Sequence, residues 1–491
     1  MELQGGPPRM PPAAVAGFLR RFSWPSPRGR VYYRGRDTPG ARATCRARVA
    51  LITGNGKRAF QTERRRPLDR SEMRRVKGVD SVQGALVGVS MLYLLVCIPY
   101  AARVYAFIIL ALRTDGARAD AKGPALGRHQ VTVIIPCRNE AQVVSGTVQA
   151  ALAQVLPPFI GRYEVLVVND GSTDETGAVL DRLAQDARGR LRVFHRHAPQ
   201  GKASALNEGV RQARGDVLVF IDADHVLRPD AVARLAEPLI AGAAQVVQGR
   251  CVVRNPHVNL LTRLVEIDNT VSYAVDLAAR SALGTCPITG STMAMTRAVW
   301  ARVGGFCEDR PGEDTDMSLR IMRERLQVRY EPAAVSEDLA PATLRGYVRQ
   351  RRRWASGQNT VLFYWMRSAS LGDFWELRRA RFEVLLYMFI YIVPVLGLVA
   401  ALGVGMQVVF HLPVLMGPWH STLALWLAAA YPVELVVAAC IRRTYKDILF
   451  LPVYLVRGPV ESVTAVLGLI DCLRHERTWY QTDRAAVQEL G

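Results

Sequence analysis

From Val131 to about residue 340, short apolar runs alternate with segments of helical pattern, and this alternation constrains the fold more than any other feature of the chain. Val131–Ile135, Glu164–Val168, Leu191–Phe194 and Val217–Ile221 are strand-like, and the uninterrupted β-branched and aromatic run Val217–Ile221 is what a strand covered on both faces looks like. Strands alternating with helices predict a largely parallel α/β sheet, in which ligands gather beyond the carboxyl ends of the strands. The last of these runs stops at Asp222-Ala223-Asp224. Side chains two apart at a strand end share a side, so both carboxylates can reach one hard divalent cation holding a diphosphate. The plainer alternative is a helix cap and a solvated turn, since Asp230 follows Pro229 in loop-like sequence. No GxGxxG follows the first strand and no GxxxxGK occurs, which excludes a dinucleotide fold and a P-loop.

Apolar segments flank this region. Residues 84–112 hold one membrane span, with Arg103 expected to snorkel near its edge; residues 384–410 and 421–441 are each long enough for another. Residues 446–475 are apolar but carry Arg457, Pro459 and Glu461 at mid-length. That predicts an interfacial helix, or a span facing a protein-lined channel. The Arg442–Lys446 cluster points to the cytoplasm.

Charge is unevenly spread. Of the formal +20, 13 charges sit in residues 1–80, which hold 19 Lys and Arg against 6 Asp and Glu. This Arg-, Pro- and Gly-rich leader lacks periodicity and is expected to be disordered, with Met73 a natural start just before the first apolar segment. Lipid headgroups could hold it; nucleic acid is not expected as a partner. The eight cysteines include no CxxC pair, which argues against structural zinc.

Further motifs sit where strands of the predicted sheet end. Ile135-Pro136-Cys137-Arg138-Asn139-Glu140 closes the first strand and can offer backbone to a flat base. Val168-Asn169-Asp170-Gly171-Ser172-Thr173-Asp174 delivers Asp170 to the sheet edge, with Ser172 or Thr173 expected to cap the next helix. Lys202 opens a helix, where it can answer phosphate charge. Downstream lie Gly312-Glu313-Asp314-Thr315-Asp316 and Gln350-Arg351-Arg352-Arg353-Trp354. Taken singly, each has a structural explanation: caps, turns, a solvated Lys or a basic patch.

Together and in this order, residues 131–360 resemble membrane-integrated family 2 glycosyltransferases of the processive type, synthases of cellulose, hyaluronan, chitin oligosaccharide and poly-N-acetylglucosamine. The resemblance implies a GT-A α/β fold over residues 125–365, inserted between transmembrane helices, with a tail at 476–491. It implies a UDP-sugar donor, best UDP-N-acetylglucosamine, an oligo- or polysaccharide acceptor, and Mg²⁺ or Mn²⁺. By position, Pro136, Glu140, Asp170, Lys202 and Asp222 contact the nucleotide-sugar, Asp170 at the uridine. Asp222 and Asp224 serve the metal and Asp314 is the general base. Gln350, Arg353 and Trp354 hold the diphosphate and acceptor, and Thr289-Gly290-Ser291 suits an acceptor-side loop. Gly312 departs from the family's usual Thr, which predicts a looser turn. The implied setting is a bacterial-type inner membrane, with a cytoplasmic catalytic domain, membrane lipid around it and room for an accessory export subunit. Alternatives are a non-processive transferase acting on a lipid carrier, which does not need Gln-x-x-Arg-Trp, and an inactive membrane scaffold, against which the intact carboxylates argue.

Overall fold

The computed structural model describes residues 49–52, 58–61, 88, 95, 97–113, 129–368, 381–409 and 418–474. The chain divides into two compact units, Met1–Gly78 and Val79–Gly491. In the first, β1 (Val49–Ile52) and β2 (Arg58–Gln61) pair antiparallel, with Ala50 opposite Phe60. This hairpin corrects the expectation of a patternless leader at those residues; the rest of the leader lies outside the described residues.

The second unit is built on eight strands: β3 (His129–Cys137), β4 (Ile160–Asn169), β5 (Leu191–His195), β6 (Val217–Phe220), β7 (Val226–Leu227), β8 (Val246–Val253), β9 (Met293–Thr296) and β10 (Val328–Asp338). They lie in the order β5-β4-β3-β6-β9-β8-β10-β7. The first four are mutually parallel, as are β8 and β10. Here the parallel expectation needs correcting: β9 runs antiparallel to both β6 and β8, and the short β7 runs antiparallel to β10. Because β9 runs backwards, the Thr289–Ser291 turn before it lies at the edge where β6 ends, and the Asp222 N–H donates to Ser291 Oγ at 3.0 Å.

Alternation along the strands feeds two cores. Val131, Val133 and Ile135 of β3 pack with α2 (Val144–Leu152), α3 (Thr176–Asp186) and α5 (Ala231–Ile240). Ile134 turns to the opposite face, against α4 (Lys202–Gln212), α7 (Leu277–Leu283), α8 (Arg297–Val303) and α9 (Glu313–Arg323). A strand that must satisfy both layers is apolar throughout, which is why β3, β4 and β6 were readable.

Helix α1 (residues 97–113) packs Val104, Phe107 and Ala111 on α6 (Leu260–Val271). Arg103 does not snorkel. Its buried guanidinium pairs with Asp276 at 3.4 Å and Glu383 at 3.5 Å, and lies over the Phe107 ring. Helix α10 (Leu344–Ser368) carries the Gln350–Trp354 motif. The span expected at 384–410 is bent: α11 (Arg381–Met388) and α12 (Ile392–Val409) are distinct helices, and Phe382–Met388 meets Ile392–Val399 at 66°. Helix α13 (Pro418–Arg442) follows, then α14 (Leu451–Leu473).

Among the described residues, one helix, Tyr445–Leu473, is long and apolar enough to cross a membrane, and the bent pair is a second candidate. The charges within α14 have partners in other helices. Arg457 pairs with Asp268 of α6, Glu461 accepts from the Tyr347 hydroxyl of α10, and Asp471 pairs with Arg352. Paired in this way, charges mid-helix no longer face lipid alone.

Candidate active site

A cavity of about 720 Å³ opens at the carboxyl edge of the sheet. Of the residues singled out from sequence, Lys202, Asp222, Asp224, Asp314, Gln350, Arg353 and Trp354 line it. Pro136, Glu140 and Asp170 are not among its lining residues. Pro136 is buried, and the Glu140 N–H donates to Thr176 Oγ1 at 2.8 Å, joining the first loop to α3.

Asp170 is buried, 3% exposed, and its carboxylate is held by the loop that follows β5. Its carboxylate accepts from Arg196 at 3.0 Å and from the Gln200 and Gly201 N–H groups at 3.0 and 2.8 Å. These charge-assisted bonds offset the cost of burying the charge and fix the loop that leads into α4. Gln200, Gly201 and Lys202 at the end of that loop face the cavity, so Asp170 reaches the site through them. The capping expectation also fails: α3 begins at Thr176 with no side-chain cap. Ser172 Oγ instead donates to Asn169 Oδ1 at 2.5 Å and accepts from the Asn139 N–H, tying the first two strand-end loops together.

Asp222 and Asp224 sit on a turn, closed by the His225 N–H donating to the Asp222 carbonyl at 3.1 Å. Simple strand alternation therefore does not hold there. Even so, Asp222, Asp224 and His225 offer ligand atoms within 4.8 Å of one another. Lys202 Nζ lies 2.7 Å from Asp222 Oδ1 and 3.5 Å from Glu313 Oε1, and donates to the Gly290 carbonyl at 3.2 Å. One ammonium thus faces three parts of the sequence: the Asp-x-Asp turn, the turn before β9 and the start of α9.

Asp314 lies in the first turn of α9, where Oδ1 accepts from the Thr315 N–H at 2.7 Å. Burial and the neighbouring Glu313 carboxylate push its pKa up to about 6, with Lys202 pulling the other way. At neutral pH it is ionised, yet more basic than an ordinary Asp.

The turn before Asp314 is tight, which corrects the expectation for Gly312. Its φ is +84°, and a Cβ would meet the Gly357 carbonyl oxygen of α10 at 2.9 Å. Gly357 is also confined, though less so, since its own Cβ would lie 3.3 Å from the Gly312 nitrogen. Backbone against backbone, this contact sets α9 beside α10. On α10, Gln350, Arg353 and Trp354 are spaced i, i+3, i+4 and share a face toward the cavity. Arg351, which also lines the cavity, pairs with Asp268 at 2.7 Å, and Arg352 pairs with Asp471. Arg353 makes no hydrogen bond or ion pair among the described residues. Tyr387, Ile390 and Tyr391 extend the lining into the break between α11 and α12.

Sequence reasoning missed His225, Asp338, Cys251 and Arg138, all of which line the cavity. His225 stood beside Asp224 and was overlooked because the motif was read as two carboxylates. Cys251 and Asp338 carry no local signal; the parallel register of β8 and β10, with Cys251 opposite Ser336, brings them to this edge.

Residues 132–303 match the family model described as Glycosyl transferase family 2. The chain is 28% identical over 380 residues to "Probable glycosyltransferase YdaM" of Bacillus subtilis, covering 74% of this chain and 88% of that one. It is 29% identical over 265 residues to an N-acetylglucosaminyltransferase of Azorhizobium caulinodans, covering 52% of this chain and 65% of the relative. A poly-beta-1,6-N-acetyl-D-glucosamine synthase of Staphylococcus aureus is 27% identical over 272 residues, with 54% and 62% covered. The solved structure of a mannosyltransferase from Pyrobaculum calidifontis, in complex with GDP-Man and Mn²⁺, aligns with a TM-score of 0.54 at 20% identity. It covers 81% of this chain and 100% of that one, and the likeness concerns the fold. The chain has a GT-A-type α/β fold and carries a family 2 glycosyltransferase domain, so its chemistry is the transfer of a sugar.

Proposed function

We propose that this domain moves a sugar, best N-acetylglucosamine, from its UDP donor to the end of a growing β-linked saccharide, with inversion at the anomeric carbon. One observation carries the reading: a single cavity is lined by the Asp222–Asp224 turn, by Asp314 and by the Gln350–Arg353–Trp354 face. The relatives that act on N-acetylglucosamine support the choice of sugar. The domain is taken as residues 125–365, and the apolar helices around it as its membrane anchor, facing the cytoplasm.

A divalent cation fits the donor set, since two carboxylates share one turn in the cavity wall. Asp222 and Asp224 would hold it, and when bound it supplies positive charge to the diphosphate. The chain's own residues do the rest. Lys202 and Arg353 meet the negative charge that grows on the leaving UDP. Asp314 takes the proton from the acceptor hydroxyl as that oxygen bonds to the anomeric carbon and the bond to UDP breaks. In-line attack converts an α-linked donor into a β-linkage. Trp354, 42% exposed, offers an aromatic face on which the acceptor ring can stack. The cavity continues to Tyr387 and Tyr391 at the α11–α12 break, a direction in which a lengthening product can leave, alone or with an export subunit.

The test is UDP release by the membrane-embedded chain against a panel of UDP-sugars, with product sized on a gel. Metal-dependent turnover of UDP-N-acetylglucosamine to a ladder or large polymer is expected, abolished by chelation and restored by Mn²⁺. A single lipid-linked sugar would replace polymerisation with transfer to a carrier. No turnover of any donor would overturn the reading.

A further inference from the structure

His225 is 9% exposed, and nothing in the fold described so far explains its ring. Nδ1 lies 3.0 Å from Ser336 Oγ, and Ser336 Oγ is in turn hydrogen-bonded to Thr292 Oγ1. Ser336 can accept from the Nδ1–H and pass its own proton to Thr292, which leaves the lone pair on Nε2. That nitrogen makes no hydrogen bond among the described residues. It lies 4.0 Å from Asp224 Oδ1, too far for one. A buried imidazole with one nitrogen anchored and the other unengaged has the form of a metal-ligating histidine, whose second nitrogen is held by a neighbouring acceptor. The ligand atoms of Asp222, Asp224 and His225 lie within 4.8 Å of one another, close enough to converge on one ion.

We infer that His225 Nε2 is the third protein ligand of the divalent cation, beside Asp222 and Asp224, and that this nitrogen favours transition-metal ions over Mg²⁺. The inference rests on the reading of the cavity as a nucleotide-sugar site and names the metal that site prefers. Mg²⁺ takes oxygen donors in rigid octahedra, whereas imidazole suits the first-row transition metals. Ser336 and Thr292 then orient the ring from behind, on β10 and just before β9.

The experiment uses the full chain in detergent with UDP and Mn²⁺, read by pulsed electron paramagnetic resonance. Phosphorus coupling reports that the ion sits on the diphosphate, and directly bound ¹⁴N reports imidazole; ¹⁵N-histidine labelling identifies the source. Both couplings are expected in the unaltered protein. In His225→Gln the nitrogen coupling is lost and Mn²⁺ affinity falls about ten- to a hundredfold, while Mg²⁺ affinity changes less. Phosphorus without nitrogen coupling in the unaltered protein overturns the inference and leaves the transferase reading standing, and this spectrum needs no variant to fold. Failure to bind UDP with any cation overturns both.

Discussion

Two regions of this molecule are built from the same carboxylates and guanidinium groups and use them in opposite ways. In the seam where α10 meets α6 and α14, Asp268 takes both Arg351 and Arg457, and Asp471 takes Arg352. At the sheet edge, Arg353, one residue along, makes no ion pair among the described residues, and the Asp314 carboxylate accepts only a backbone N–H. In the seam these charges are matched within the protein; at the sheet edge Lys202 is matched with Asp222 and Glu313, while Arg353 and Asp314 have no ion pair among the described residues. The consequence appears in acidity. The Asp268 carboxyl is drawn down to about 2, because Arg457 and Arg351 outweigh its burial, whereas Asp314 is pushed up to about 6.

The comparison can be broken most sharply at Asp314. Asp314→Asn is expected to lower transfer by about 10²–10⁴-fold with UDP affinity held within a few-fold, the share a general base supplies. A collapse of UDP affinity, measured by calorimetry, would move Asp314 from the base to the donor site. Gly312→Thr tests whether the edge depends on its backbone. A β-branched residue at φ +84° that meets the Gly357 carbonyl is expected to cost about 1–3 kcal/mol in denaturant unfolding, and to lower transfer with it.

In the seam, Asp268→Asn is expected to remove about 2 kcal/mol of stability at neutral pH. The sign follows from its depressed folded value: the contribution is complete above about pH 4 and is lost as pH falls toward about 2. Thermal unfolding of both proteins at pH 7 and pH 3 checks this, since the difference should shrink at the lower pH. The smallest effect is expected from Glu313→Gln. Its charge raises Asp314, so removing it lets the base ionise at lower pH, and the acid limb of the rate profile near pH 6 should shift down by less than about one unit. An upward shift would mean that Lys202, freed from Glu313, had moved away from Asp314.

What could be read from sequence was whatever leaves a local trace. β3, β4 and β6 were legible because a strand between two helical layers is largely apolar, and Asp222, Asp224 and Asp314 because they stand where such patterns stop. Failures came where the partner is remote. Arg103 was placed at a lipid edge because Asp276, 173 residues away, could not be foreseen. Arg457 and Glu461 were priced as bare charges when each has a partner on another helix. The bonds of Asp170 to Arg196, Gln200 and Gly201 were equally unreadable from its position. β9 is four residues of unremarkable sequence, and only its antiparallel register shows that the Thr289–Ser291 turn belongs beside Asp222.

The meeting of Gly312 and Gly357 has one more implication. At this one point α9 and α10 meet main chain to main chain, with no side-chain cushion to compress, so the distance between Asp314 and the Trp354 face is expected to behave as a fixed gauge. An enzyme that repeats one reaction along a lengthening thread needs each new end to halt at the same depth. Under the proposed chain-extending reaction that stop would be set by two missing side chains, and enlarging either is expected to appear first as irregular product lengths.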